Sequence, residues 1–147
     1  MKPKYLIQML IGFISLGVIF ASCSKDDDNP TTVESVSRDT RLVGQWTLTK
    51  VTIPSMSMEL TPAQAGFMIT GTVNSDGTFQ MNTTDSTGTL QENGTWSTSG
   101  TVITMSYTDS TARTMEYTVN NNIVTVATPV ELQPGVEVPS ILEFLKS

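Results

Sequence analysis

From Val43 onward, apolar and polar residues alternate along most of the chain in runs of four to eight residues, broken by clusters of Gly, Asn, Asp and Ser. Alternation with period two places one set of side chains on each face of a strand, so these runs predict half-buried strands. Phe67, Ile69, Gly71 and Val73 form one such set, followed by Phe79 and Met81, by Ile103, Met105 and Tyr107, and by Met115, Tyr117 and Val119. Between them, Asn74–Gly77, Asp85–Gly88, Gly100 and the Asn120–Asn122 triplet have the composition of turns, because Gly and Asn tolerate positive φ. Thr89–Ser97 predicts a further strand, in which Asn93-Gly94 is read as a Gly-type bulge rather than a tight turn. Ile123–Thr128 continues the series.

The first strand, Val43–Ile53, changes face. Trp46 and Leu48 share one side, and Val51 and Ile53 fall on the other, which predicts a bulge or bend at Thr49-Lys50. Pro54–Leu60 then reads as a loop carrying Met56 and Met58. Thr61-Pro62-Ala63-Gln64 has the order of a helix start, with an N-cap threonine, proline at the first helical position and glutamine closing a capping box. Gly66 limits that helix to residues 62–66. Pro129, Pro134 and Pro139 divide the tail into extended pieces, and Ile141–Lys146 predicts a closing strand in preference to a short helix. About eight short strands with this spacing define an all-β antiparallel sandwich or barrel.

The N-terminus follows a different pattern. Lys2 and Lys4 precede an uncharged, largely apolar run from Leu6 to Phe20, too short for the roughly 20 residues of a membrane-spanning helix. With the small residues Ala21 and Ser22 behind it, the run reads as a secretory signal peptide, residues 1–22. Residues 23–40 form an acidic, Thr- and Ser-rich tether, and residues 41–147 the domain. Loss of the leader leaves 6 basic against 14 acidic residues, net −8, which disfavours nucleic acid as a partner. Histidine is absent, and the single cysteine excludes an internal disulfide. These counts remove His-based acid–base catalysis, Ser-His-Asp and Cys-His nucleophiles and the usual zinc sets. The protein is therefore expected not to be an enzyme, with no catalytic residues, no metal site and no cofactor. Asp26–Asp28 do not form a calcium loop, since consecutive carboxylates diverge and no later bidentate Glu has EF-hand spacing.

Ala21-Ser22-Cys23 resembles the lipobox of bacterial lipoproteins. The resemblance implies that Cys23 is acylated, for example with palmitate, and that the membrane is a partner through this residue. Lys25-Asp26-Asp27-Asp28 resembles the export signal of surface-exposed lipoproteins in some Gram-negative bacteria. It implies an outer-membrane, surface-exposed protein, with a periplasm-facing one as the alternative. As plain chemistry, the same residues make a solvated, self-repelling linker. Asp85-Ser86-Thr87 and Asp109-Ser110-Thr111 resemble a short bacterial O-glycosylation motif, which would place glycans on Ser86 and Ser110. Turn-forming Asp and Ser account for both equally well.

Gly44-Gln45-Trp46 at the start of the first strand, then Asn74–Phe79, Asn93–Trp96 and Thr101–Thr104 in that order, resemble the lipocalin-like domain family of bacterial lipoproteins. The resemblance runs from Arg41 to the C-terminus. It implies a single up-and-down β-barrel, the short helix lying across one mouth, Gly44 allowing close packing at the closed end and Trp46 plugging the floor. Full lipocalins stack an arginine of the last strand on that tryptophan; here Lys146 is near the right place, and the Thr-Asp-Tyr motif is absent. A ligand in the barrel would meet Phe67, Phe79, Trp96, Tyr107 and Tyr117 on the walls and Met56 and Met58 at the lip. The plainer reading is that the aromatic residues simply fill the barrel, since eight strands enclose little more than their own side chains. Two functions are thus expected: a non-catalytic module binding a small hydrophobic or amphipathic ligand, or a solidly packed protein-interaction or inhibitor module whose loops contact a surface protein partner.

Overall fold

The computed structural model describes residues 36–108, 111–133 and 135–147. The expected leader, Cys23, the acidic run and Ser110 lie outside the described residues. Nine strands follow one another: β1 (Gly44–Ile53), β2 (Met58–Leu60), β3 (Phe67–Val73), β4 (Thr78–Asp85), β5 (Gly88–Ser99), β6 (Val102–Tyr107), β7 (Arg113–Asn120), β8 (Ile123–Gln133) and β9 (Val136–Lys146). From β3 to β9 each pairs antiparallel with the next, and β9 returns to β1 while β3 takes the other edge of β1. This closes an eight-stranded up-and-down barrel. β2 is the extra strand, folded back on the end of β1, with Ile53 opposite Met58 and Val51 opposite Leu60.

β1 carries the change of face that its sequence requires. Its register against β9 shifts between Leu48 and Lys50, so Trp46 and Leu48 before the shift and Val51 and Ile53 after it are all buried. One strand thereby serves two groups of core side chains. Trp46 packs with Leu42, Phe79, Trp96, Ile103, Met105, Tyr107, Tyr117 and Val124; Leu48 and Val51 pack with Leu142. The short helix α1 (Pro62–Ala65) has the complete capping box: Thr61 Oγ1 accepts from Gln64 N–H, and Gln64 Oε1 accepts from Thr61 N–H. Gly66 ends it at φ 83°. In the β3–β4 turn, Asp76 Oδ1 accepts from Thr78 N–H at 2.8 Å, and Asn121 in the β7–β8 turn sits at φ 53°.

Four local expectations change. Pro54–Leu60 is a 3-10 turn, Pro54–Met56, followed by β2, rather than a loop throughout. Asn93-Gly94 is not a bulge: Gly94 stands in register between Phe79 and Tyr107. The glycine is there because a Cβ would collide with the backbone carbonyl of Ser106. Pro129 and Pro139 do not interrupt the ladder, for β8 and β9 run on through these two residues, one opposite the other. Opposed residues in an antiparallel pair exchange either both hydrogen bonds or neither, and two prolines fit the second kind without loss. Finally, Ser37–Thr40, assigned by composition to the tether, are bound to the barrel. Thr98 N–H donates to Ser37 O at 2.8 Å, Arg38 Nε donates to Trp96 O at 3.1 Å, and Asp39 N–H donates to Thr98 Oγ1 at 2.9 Å. A 3-10 turn, Thr40–Leu42, leads from this strap into β1.

Candidate functional site

The two ends of the barrel are built differently. At the strapped end Trp46 lies across the floor, its Nε1–H donating to Leu42 O at 2.7 Å. Lys146 stands opposite Trp46 in the ladder and holds its ammonium 5.3 Å from the indole centroid, a cation–π arrangement, while reaching Arg41 O at 3.3 Å. The lysine stem fills the space where a Cβ on Gly44 would be, and Gly44 sits at φ 146°. Trp96 Nε1–H donates to Asn74 O at 3.0 Å, and Tyr117 OH donates to Asp39 Oδ2 at 3.0 Å. Arg41 forks onto the same carboxylate, with Nε 2.9 Å and Nη2 2.6 Å from its two oxygens. The Arg41 guanidinium, joined by its own backbone N–H and the Tyr117 hydroxyl, holds the Asp39 carboxyl down at about 2. The polar tips of Trp46, Trp96, Tyr117 and Asp39 are thus all partnered, and this end is built as a lock.

The opposite end is hollow. A cavity of about 760 Å³ opens there, within the range of small-molecule sites. Its floor and walls are Ile69, Met81, Met105, Met115, Val126, Leu142 and Phe144, and its rim is formed by Ala65-Gly66-Phe67 after α1, by the Asp85–Thr87 turn and by Thr128–Gln133 of β8. Four charged side chains line it: Asp85, Glu92, Arg113 and Glu131. The Arg113 guanidinium stands 5.2 Å from the Tyr107 ring centroid, and Tyr107 meets Phe79 edge to face at 5.3 Å. Burial pushes the Tyr107 hydroxyl above its ordinary pKa, with the charge of Glu92 adding to the rise and that of Arg113 opposing it. Among the described residues, no group of three acidic side chains converges as metal ligands would.

The residues expected to line a ligand site therefore divide. Phe67 and Tyr107 do line the cavity. Phe79, Trp96 and Tyr117 belong to the packed core. Met56 and Met58, 55% and 42% exposed, lie outside the cavity lining because they belong to the turn and strand that extend β1, not to a lip over the mouth. Ser86 is exposed at the rim in a turn closed by Asp85, whose Oδ1 accepts from Thr87 N–H at 2.7 Å. Arg113 and Glu92 were not expected in the site. The alternation that selects Met115, Tyr117 and Val119 also places Arg113 inward, and the alternation of Trp96 and Gly94 does the same for Glu92. Period two was the available signal, masked because charged residues read as solvated.

An antiparallel eight-stranded barrel, filled at one end and hollow at the other, is the architecture of a small binding module. The chain belongs to the lipocalin-like domain family, whose model matches residues 42–126. That match runs from the entry to β1 into β8; β9, which closes the barrel and supplies Leu142, Phe144 and Lys146, lies beyond it. No curated protein matches the chain.

Proposed function

We propose that this protein is a lipid-anchored lipoprotein of the outer membrane whose barrel is a non-catalytic carrier for a small apolar or amphipathic molecule. The observation that carries the reading is the hollow end: an apolar cavity of about 760 Å³ with charge confined to four lining residues. A barrel serving only as a scaffold for its loops gains nothing from leaving apolar walls unpacked, since empty apolar space forfeits dispersion contacts. The leader ending in Ala21-Ser22-Cys23 supports the anchor, and the acidic run after it supports display on the outer surface. Native mass spectrometry of the full chain carrying Cys23→Ser, incubated with extract of its host, tests the carrier. A reproducible mass increment, lost when Val126→Trp fills the cavity, is the expected outcome; bare protein in every extract sinks it. Labelling of host cells with an alkynyl palmitate tests the anchor, with incorporation expected to vanish in Cys23→Ser. Protease shaving of intact cells separates a surface from a periplasm-facing location.

A second reading, a protein-interaction module, is favoured by the exposure of Met56 and Met58 on a hairpin whose β2 pairs along only one edge. Unpaired edges and adaptable methionines suit contact with another protein. Crosslinking from Met58→Cys in host membranes distinguishes it from the carrier. A glycan on Ser86 would stand at the rim of the cavity, and intact mass of protein from the host reads it directly.

A further inference from the structure

A second concave surface lies outside the barrel. It is a groove of about 270 Å³ on the outer wall, where β1, β3 and β4 run side by side. The ladder sets six of its side chains in two rows. Gln45, Thr72 and Gln80 stand opposite one another across the three strands, and so do Thr47, Thr70 and Asn82. Neighbours in a row are about 4.8 Å apart, and the rows lie about 6.8 Å apart along the strands. β5 prolongs both, with Asn93 opposite Gln80 and Gln91 opposite Asn82.

Two observations separate this grid from an ordinary solvated wall. No Asp, Glu, Lys or Arg side chain lines the groove, whereas four such residues line the hollow end. The alternation that turns Phe79, Trp96 and Met105 inward leaves the whole outer face of β3 to β6 without a charged residue. Protein surfaces ordinarily carry about 25–35% charged side chains, and this chain has 14 acidic residues to place. The grid is also uncommitted. Elsewhere on the outer wall facing threonines bond each other, Thr84 with Thr89 at 2.9 Å and Thr118 with Thr125 at 2.6 Å. Thr47 and Thr70 stand opposite in the same way, yet among the described residues no side-chain hydrogen bond involves any of the six.

Each of the six ends in a hydroxyl or a carboxamide, which donates and accepts at once. A charged head finds no counter-charge on this grid, and an apolar chain would strip it of solvent without replacing the hydrogen bonds. Its complement is a neutral ligand whose own groups donate and accept in close succession, as the hydroxyls of a sugar do. We propose that the groove binds a neutral glycan, with one sugar ring over the grid and the next over Gln91 and Asn93. The site is separate from the cavity and does not depend on the carrier reading.

Neutral hydrogen bonds made in exchange for water contribute little each, so affinity in the millimolar range is expected. The test is an NMR titration of the nitrogen-15-labelled full chain carrying Cys23→Ser with maltohexaose, cellohexaose and mannohexaose. The side-chain carboxamide signals of Gln45, Gln80 and Asn82 are the readout. Saturable shifts of these signals with at least one of the three sugars are expected. Thr70→Val keeps the shape and suits a strand, removes one hydroxyl, and is expected to weaken that binding about fivefold. Thr118→Val, outside the groove, and Val126→Trp, which fills the cavity, are expected to leave it unchanged. Absence of saturable shifts with all three sugars overturns the site, as do shifts that Thr70→Val leaves unaltered or Val126→Trp abolishes. Tighter binding of an oligogalacturonate, which carries a carboxylate on each ring, overturns the neutral class of ligand.

Discussion

The two ends of this barrel are made by the same strands with the same alternation, and they differ in what the alternation delivers. The closed end receives both tryptophans, Trp46 and Trp96, each with its indole N–H satisfied by a backbone carbonyl, and the strap Ser37–Leu42 laid over them. The open end receives methionines and aliphatic residues together with Phe67, Tyr107 and Phe144. Rigid rings with directional tips make a floor that cannot shift; flexible thioethers make walls that adapt. Stability and binding are thereby separated along the barrel axis, so substitutions at one end should leave the property of the other intact.

The largest expected effect is at the floor. Trp96→Ala removes a side chain that is 2% exposed and should cost about 3–5 kcal/mol, a large part of the roughly 5–15 kcal/mol that holds a domain together. Met115→Ala faces space that is already empty, creates no new hole and should cost about 1 kcal/mol. Urea unfolding followed by circular dichroism compares them; equal losses would break the distinction between the ends.

A subtler pair shares one backbone conformation. Gly44 and Gly88 sit at φ 146° and 144°, so an alanine strains the backbone similarly at each. Around Gly88 a Cβ meets nothing within 4 Å, whereas at Gly44 it meets the Lys146 stem. Gly44→Ala must displace Lys146 from Trp46 and from Arg41 O, and should cost about 1 kcal/mol more than Gly88→Ala. Thermal unfolding of the two variants measures the difference directly.

How far this architecture was legible depends on how locally each feature is specified. The β3–β4 hairpin follows from alternation and an Asn-Ser-Asp-Gly turn, and α1 from a capping box, because each needs only its own residues. The face change at Thr49-Lys50 was visible for the same reason. The role of Gly94 was not, since what excludes a Cβ there is a carbonyl of β6, twelve residues away in sequence. The continuity of β8 and β9 through Pro129 and Pro139 depends on the two prolines falling opposite one another, a register that no single segment encodes. The strap looked like linker because Ser37–Thr40 are polar and take their partners from β5 and β7. In the cavity lining, Phe67 and Tyr107 follow from hydrophobic alternation, and Arg113 follows from the same alternation but was passed over because its charge reads as solvated.

Acid should loosen the strapped end before it touches the cavity walls. Asp39 has its pKa lowered from 3.8 to about 2, first by the Arg41 guanidinium, so its charged form is the one favoured by folding. Its contribution is therefore fully present above about pH 4 and is lost as the pH falls toward 2. After allowance for solvent screening it should amount to about 1 kcal/mol. Asp39→Asn is expected to flatten that part of the stability profile. Asp85, at the rim, is lowered by the Thr87 hydroxyl in an exposed turn, and Asp85→Asn should change the acid limb less. A profile equally altered by both variants would mean that the strap is not the acid-sensitive lock.

The smallest effect tests the departure at Lys146. An ammonium 5.3 Å from the Trp46 centroid and 3.3 Å from Arg41 O makes one cation–π contact and one long hydrogen bond. A guanidinium would lie flat on the indole and still reach the carbonyl, so Lys146→Arg should stabilise by about 0.5 kcal/mol, or about 2–3 °C in Tm for a domain of this size. The mass increment read by native mass spectrometry should not move, because the cavity lining does not include Lys146. A fall in Tm would carry the opposite lesson. The space beside Gly44, closed even to a Cβ by the lysine stem, would then be shaped for a linear side chain, and the floor of this barrel would be fitted to its own lysine.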